Sequence, residues 1–333
     1  MSYDYNEIAF PKLGIDIHVN STAFSIFGFD IQWYGILIAT GVLLAFLFAF
    51  KNFKRVGLDS NKTFDVIIAG LVGGIIGARV YYVIMEWDQY KDDILSIFNT
   101  RQGGLAFYGG LIGAVLFGFI MAKIRKVKLL PLLDIVGIGF LIGQTIGRWG
   151  NFFNQEAFGG NTDSVFGMTG GRIQSWISEN VPSMDPEMPV HPCFLYESVW
   201  CFIGIIVLSI VFYKARKFDG QIFVMYIGWY GLGRAFIESL RSDSLYIGTI
   251  KVSQALAILC VIASVITLII ILNYVKRMGS DYILYKDTEE SKELLAKAEK
   301  NVFVQVEKDD EKEISEKTDL PEKSAESDNN KKE

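Results

Sequence analysis

The sequence predicts an all-α polytopic membrane protein of about seven transmembrane helices with a small irregular cap on its outer face. Three observations carry this. The 333-residue chain is 51% hydrophobic and its mean hydropathy is +0.30, high for a soluble domain. Its apolar residues fall in seven blocks, each close to the ~18–20 residues that a helix needs to cross a bilayer. Lys and Arg crowd alternate loops, a pattern that a buried soluble core has no reason to adopt.

Residues 1–31 are an outer segment of mixed character with room for a short interfacial helix. They lack a basic n-region, so no cleavable signal is expected. The membrane body, 32–277, holds the blocks Gln32–Phe50, Phe64–Ile84, Leu105–Ala122, Leu132–Gly147, Phe194–Tyr213, Gln221–Leu240 and Val252–Tyr274. The fourth is short and reads as partly re-entrant. Lys51, Lys54, Arg55 and Lys62 follow the first block, and Lys123, Arg125, Lys126 and Lys128 follow the third. Lys214, Arg216 and Lys217 follow the fifth, and Lys276 and Arg277 the seventh. Positive loops lie inside, which places the N-terminus outside and the C-terminus in the cytoplasm. The longest internal loop, 148–192, is broken by glycine and proline and reads as an outer cap without a core of its own.

Residues 278–333 form a charged cytoplasmic tail. From Lys286 onward there are ten Lys and sixteen Asp or Glu, a charge of -6, so the remainder carries +1 and the chain -5. Asp287–Lys300 suits a helix laced by charge pairs; the rest cannot bury enough apolar surface to fold alone. Three cysteines and two histidines exclude a multi-ligand zinc site and a disulfide framework. No basic face suggests nucleic acid. Gly73-Gly74-Ile75-Ile76-Gly77 and Gly109-Gly110-Leu111-Ile112-Gly113 look alike, and glycine-rich packing faces explain the likeness.

The chemistry collects in polar clusters at span ends. Gly147-Arg148-Trp149-Gly150-Asn151-Phe152-Phe153-Asn154-Gln155-Glu156 closes the fourth block, and ionisable groups at that depth are costly enough to suggest function. Four other clusters fall on the same leaflet by the loop charges. They hold Arg79 in the second block, Tyr108 opening the third, His191-Pro192-Cys193-Phe194-Leu195-Tyr196-Glu197 opening the fifth, and Tyr230 to Arg241 closing the sixth. Tyr230, Arg234 and Glu238 share one helix face. Arg234 and Glu238 can also simply neutralise each other. Arginine forks at headgroup level, framed by apolar spans, suit a phospholipid phosphate.

With these residues in view, Gly147 to Gly159 resembles the signature of the bacterial prolipoprotein diacylglyceryl transferases. His191–Glu197, Gly233–Glu238, Trp33-Tyr34-Gly35 and the glycine flanks of Phe107-Tyr108 resemble the same family, over about residues 15–275. The resemblance implies an enzyme of the bacterial cytoplasmic (inner) membrane that needs no cofactor. It would move the diacylglyceryl group of phosphatidylglycerol onto the lipobox cysteine thiol in the signal peptide of a preprolipoprotein. A thioether forms and glycerol phosphate leaves.

Negative charge then grows on phosphate oxygens, and fixed arginines aimed there lower the barrier. Arg148 and Arg234 are the first choices, with Tyr108 and Glu238 as further catalytic candidates. Asn151, Asn154, Glu156, Gly159, Tyr34, Tyr230, Arg79, Arg241 and His191 are expected to bind substrate. The base stays open. Some family members carry His where this chain has Tyr108, and a tyrosine of pKa ~10 is a poor base unless an arginine depresses it. Glu156, Glu238 and His191 are the alternatives. Other readings are structural: Asn151 and Asn154 as a helix cap, His191 as a holder of the outer loop, Arg79 as an ion-pair partner of Glu86 or Glu197, and Cys193 as a buried small residue. A transporter for a small anion or a lipid-binding scaffold is the rival function; a transporter of this kind predicts repeated halves, and no such repeat is visible.

Overall fold

The structure is a computed structural model and describes residues 3–99, 103–242, 246–247, 250–300. The expected disorder beyond 300 lies outside the described residues.

Two hairpins form the start of the chain, β1 (Glu7–Phe10) with β2 (Ile15–His18) and β3 (Thr22–Ile26) with β4 (Phe29–Gln32). Among the described residues of this segment no helix is longer than one 3-10 turn, so the expected interfacial helix is corrected. Left-handed glycines at Gly14 and Gly28 close both turns, and the runs between them are too short for a helical face. The helices α1 (Trp33–Asn52), α2 (Ser60–Met85), α3 (Trp87–Tyr90), α4 (Phe107–Arg125) and α5 (Leu129–Asn154) follow. In the cap, β5 (Thr169–Gly170) leads into α6 (Gly171–Asn180). The long helices α7 (Cys193–Lys214) and α8 (Gln221–Leu240) come next. A small hairpin, β6 (Tyr246–Ile247) and β7 (Ile250–Lys251), opens α9 (Val252–Met278).

Among the described residues, six helices are long and apolar enough to cross a membrane: α1, α2, α4, α5, α7 and α9. The seventh block is matched by α8, which is as long as α1, but Gln221, Arg234 and Glu238 dilute its hydropathy. It packs among α5, α7 and α9, so its polar groups face protein. The expected re-entrant break is corrected as well: α5 is one continuous helix of 26 residues. Its polar end stays helical because Arg148 and Asn151 have side-chain partners.

The glycine runs are packing faces. A Cβ on Gly113 would lie 2.9 Å from the Cα of Gly77, so α2 and α4 touch backbone to backbone. Close approach of this kind supplies the van der Waals contact that holds helices together in lipid. Elsewhere α1 lies on α5, and α5, α7, α8 and α9 form the thicker half of the bundle. Asp134 of α5 is fully buried and caps the start of α8, accepting from Gly220 N (2.9 Å) and Ile222 N (2.7 Å). Arg216 balances it at 3.1 Å.

At the cap end, β1 pairs with both β2 and β5, which ties the chain start to residues 169–170. A second core of Ile8, Phe10, Val19, Phe152, Phe158, Met168, Ile173, Ile177, Val190 and Phe194 lies beneath. The apolar residues of the cap therefore share a core with the chain start and the ends of α5 and α7.

At the opposite, basic end, residues 279–300 fold back on the bundle. A helix over 289–300 buries Ser291, whose Oγ donates to Gly57 O at 2.9 Å. Gly57 is left-handed (φ 85°), and Lys286 and Ser291 fill the space where a side chain would stand. Tyr285 N donates to Asp219 at 2.8 Å, and ion pairs join Lys54 to Glu299 and Lys128 to Glu290. Residues 279–300 are thus anchored to the bundle, with a helix over 289–300 where one was expected over Asp287–Lys300.

Candidate active site

Three helix ends meet at one carboxylate. Glu197, one turn into α7, is 4% exposed. Its Oε2 lies 2.5 Å from Nη2 of Arg148 on α5, and its Oε1 lies 2.9 Å from Nη1 of Arg234 on α8. Arg241, just past α8, approaches Oε1 at 3.6 Å. Arg234 also pairs with Glu238, one turn on, at 2.5 Å. Sequence reasoning placed Glu197 in a motif but considered it only as a partner for Arg79. Its position at i+4 from Cys193, which starts the helix, turns it into the bundle, and the cations Arg148, Arg234 and Arg241 at the ends of α5 and α8 were the available signal.

The expected neutralisation of Arg234 by Glu238 does occur, inside a larger network. Three guanidiniums face two buried carboxylates. Ion pairs of this depth cost desolvation that their attraction roughly repays, so the arrangement does not stand out as a source of stability.

The polar end of α5 is built by its own termination. Gln155 (φ 53°) is left-handed and its N–H caps the carbonyl of Phe152 at 3.0 Å. The Gln155 side chain, 3% exposed, donates to Tyr5 O and accepts from Arg172 N at 3.0 and 3.1 Å. This clamp between chain start, helix end and cap was absent from the sequence expectations. The cap residue is Gln155, so the reading of Asn151 and Asn154 as the capping side chains is corrected. Their amides donate to Glu156 Oε1 at 2.8 and 3.3 Å. Arg148 Nη1 reaches Asn151 Oδ1 at 3.5 Å, which links the arginine cluster to Glu156. Beside Glu156 and Asn154 opens a cavity of about 420 Å³, walled also by Tyr5, Phe158, Arg172 and Trp176.

Tyr34 packs its ring on Gly150, where any Cβ would strike it. Tyr230 stacks on Tyr226 (6.1 Å), whose hydroxyl accepts from Gln144 at 3.1 Å. Gly159 sits where three segments cross: its N donates to His191 O (2.8 Å), and a Cβ there would lie 2.5 Å from Leu240 O and 3.0 Å from Cys193 Sγ. The residue is a backbone junction. His191 holds that junction through its own backbone, and its ring Nδ1 lies 3.4 Å from Tyr196 Oη. Burial lowers the imidazole pKa from the usual 6.5. Cys193 is fully buried and not disulfide-bonded, in keeping with a structural residue.

Two expected members stand apart. Arg79 makes neither proposed ion pair among the described residues. It donates to the carbonyls of Ser96, Ile97, Asn99, Gly103 and Gly104 at 2.6–3.3 Å, and so fastens the connection from α3 to α4. Tyr108 is 64% exposed at the start of α4 and packs on Phe107. No described hydrogen bond or ion pair joins either residue to Glu197 or the three arginines clustered on it.

Residues 21–270 match the family described as prolipoprotein diacylglyceryl transferase. A phosphatidylglycerol--prolipoprotein diacylglyceryl transferase from Clostridioides difficile is 42% identical over 248 residues, 74% of this chain and 94% of that one. The protein of the same description from Finegoldia magna is 44% identical over the same shares. That from Bacillus cytotoxicus is 43% identical over 242 residues, 73% of this chain and 88% of its own.

Proposed function

Since the chain belongs to the prolipoprotein diacylglyceryl transferase family, we propose that it transfers the diacylglyceryl group of phosphatidylglycerol to the lipobox cysteine of preprolipoproteins. The thiol first gives its proton to a base. The thiolate attacks the sp³ carbon next to the phosphate ester, a C–S bond forms, and the C–O bond breaks. Its electron pair leaves with glycerol phosphate.

The convergence of Arg148, Arg234 and Arg241 on Glu197 carries this reading. Guanidinium forks suit the oxygens of a phosphodiester of charge -1. As the ester bond breaks, the phosphate moves towards -2, and preorganised guanidiniums favour that change. Each guanidinium has five N–H groups in a fixed fork, so it can keep its carboxylate and still face phosphate. Glu197 and Glu238 are positioning residues in this scheme. Asn151 and Asn154 hold Glu156 at the mouth of the cavity beside the cluster, which suits entry of the acceptor peptide there. Glu156 is the carboxylate placed to receive the thiol proton. Tyr34 and Tyr230 line the lipid side, and Gly159 and His191 keep the cap seated over it.

The same proposal places 32–277 in the bacterial cytoplasmic membrane as the catalytic body. Residues 1–31 and the 148–192 cap lie outside, and 278–333 lies in the cytoplasm, following the loop charges. The test is direct. Purified protein with phosphatidylglycerol and a lipobox peptide should add one diacylglyceryl unit to the peptide, read by mass. No gain with the wild type refutes the activity, and an undiminished gain with Arg148→Ala refutes the site.

A further inference from the structure

At the basic end, far along the chain from Glu197, three segments enclose a cavity of about 130 Å³. Arg55 comes from the turn after α1, Lys214 and Arg216 from the end of α7, and Leu284 and Lys286 from the folded-back segment. A water needs at least ~10–15 Å³ of such space, so the cavity has room for a phosphate. Arg216 is matched by Asp134 (3.1 Å) and Asp219 (3.6 Å), and Lys286 lies 4.0 Å from Asp287. Arg55 lies over the Tyr213 ring, 4.7 Å from its centre. Among the described residues neither Arg55 nor Lys214 has a carboxylate partner. Four cations against three carboxylates leave one positive charge, centred on that pair.

Loop positivity alone does not require this convergence. Lys62 and Lys123 sit at the same end without lining the cavity. Arg55 follows the end of α1 by three residues and Lys214 ends α7, so the cavity stands at headgroup depth. A guanidinium backed by an aromatic face, with ammonium groups beside it, is suited to phosphate oxygens.

We propose that this cavity binds the phosphate of an anionic phospholipid from the leaflet at the basic end. Lys286 and Leu284 belong to the segment that carries Ser291, so the bound phosphate fastens residues 279–300 to the bundle. The site takes no part in diacylglyceryl transfer, and its test does not depend on it.

The experiment is hydrogen exchange of a peptide spanning 279–300, in nanodiscs of phosphatidylcholine with and without phosphatidic acid, and in phosphatidylcholine discs with millimolar inorganic phosphate. Phosphatidic acid is expected to slow exchange of the wild-type peptide by about thirtyfold, as two cations near an anionic surface warrant. R55Q/K214Q is expected to lose the slowing, with the ratio taken within each variant so that a looser segment does not imitate the result. K62Q/K123Q removes the same charge from the same end and is expected to keep it. Equal slowing by inorganic phosphate upholds the phosphate site and assigns it to soluble anions. The proposal is overturned if neither phosphate source slows exchange, if R55Q/K214Q still responds, or if K62Q/K123Q loses the response equally.

Discussion

Replacing Glu197 by glutamine removes the single negative charge on which Arg148, Arg234 and Arg241 converge. The carboxylate is 4% exposed and holds two guanidiniums at 2.5 and 2.9 Å. Removing one partner of a buried pair costs about 3–5 kcal/mol. The amide carbonyl still accepts from one guanidinium, which returns about 1 kcal/mol. Arg148 and Arg234 are 21% and 19% exposed, so water offsets part of the rest. A net loss of about 2–4 kcal/mol is expected, or roughly 5–12 °C in the thermal midpoint for a body of this size. With the arginines no longer fixed, turnover should fall by about 100- to 1,000-fold, the usual cost of losing one preorganised donor to a developing oxyanion. The KM for phosphatidylglycerol should move far less, because all three guanidiniums keep their charge. Thermal unfolding and peptide lipidation are both measured in nanodiscs of a non-substrate lipid with titrated phosphatidylglycerol. A midpoint within about 1 °C of wild type together with turnover within about twofold would show that the three arginines do not act through Glu197.

The exposed Tyr108 should tolerate Tyr108→Phe with near-normal lipidation; a loss of about 100-fold would make its hydroxyl the proton acceptor. A chain ending at Lys300 should match the full protein in midpoint and turnover. Ending it at Tyr285 removes the Ser291 hydrogen bond and the Glu290 and Glu299 ion pairs, and should cost about 1–3 kcal/mol of stability while turnover persists. Because burial lowers the His191 pKa, the folded protein binds fewer protons there than the unfolded chain. Its contribution is complete above the unfolded value of ~6.5 and is lost as the pH falls through the lowered folded value. The drop in midpoint from about pH 7.5 to about pH 5 should be larger for wild type than for His191→Gln, and equal drops would contradict the buried setting.

The bundle was legible because span hydropathy is a strong constraint. The block Gln221–Leu240 coincides with α8, and Gln32–Phe50 differs from α1 by a residue or two at each end. Hydropathy failed at Arg148–Asn154, where the helix continues because Glu197 and Glu156 satisfy its polar side chains. Arg148 and Arg234 were readable as cations out of place. Their common partner was not, since Glu197 gains its meaning only when α5, α7 and α8 are brought together. Arg79 misled for the converse reason: its partners are the backbone carbonyls of Ser96, Ile97, Asn99, Gly103 and Gly104, which leave no trace in residue identity. Ser291 and Gly57 are equally ordinary in sequence, and only the close fit of one against the other reveals the anchored segment.

The pairing of β1 with β5 sets an order of events during synthesis. Ile8 and Ala9 are fully buried, yet their partners are Gly170 and Thr169. About 160 residues must be made between them, which at ~5–20 residues per second takes roughly 8–30 s. Through that interval four long helices, α1, α2, α4 and α5, are made while the outer edge of β1 waits for its partner. The β1–β2 hairpin can form at once, but the layer over the arginine cluster closes only when the cap arrives. Conditions that slow elongation between residues 10 and 170 should therefore lengthen the exposure of a sticky strand edge, and this interval marks the nascent chain's period of greatest need for a chaperone on the N-terminal side.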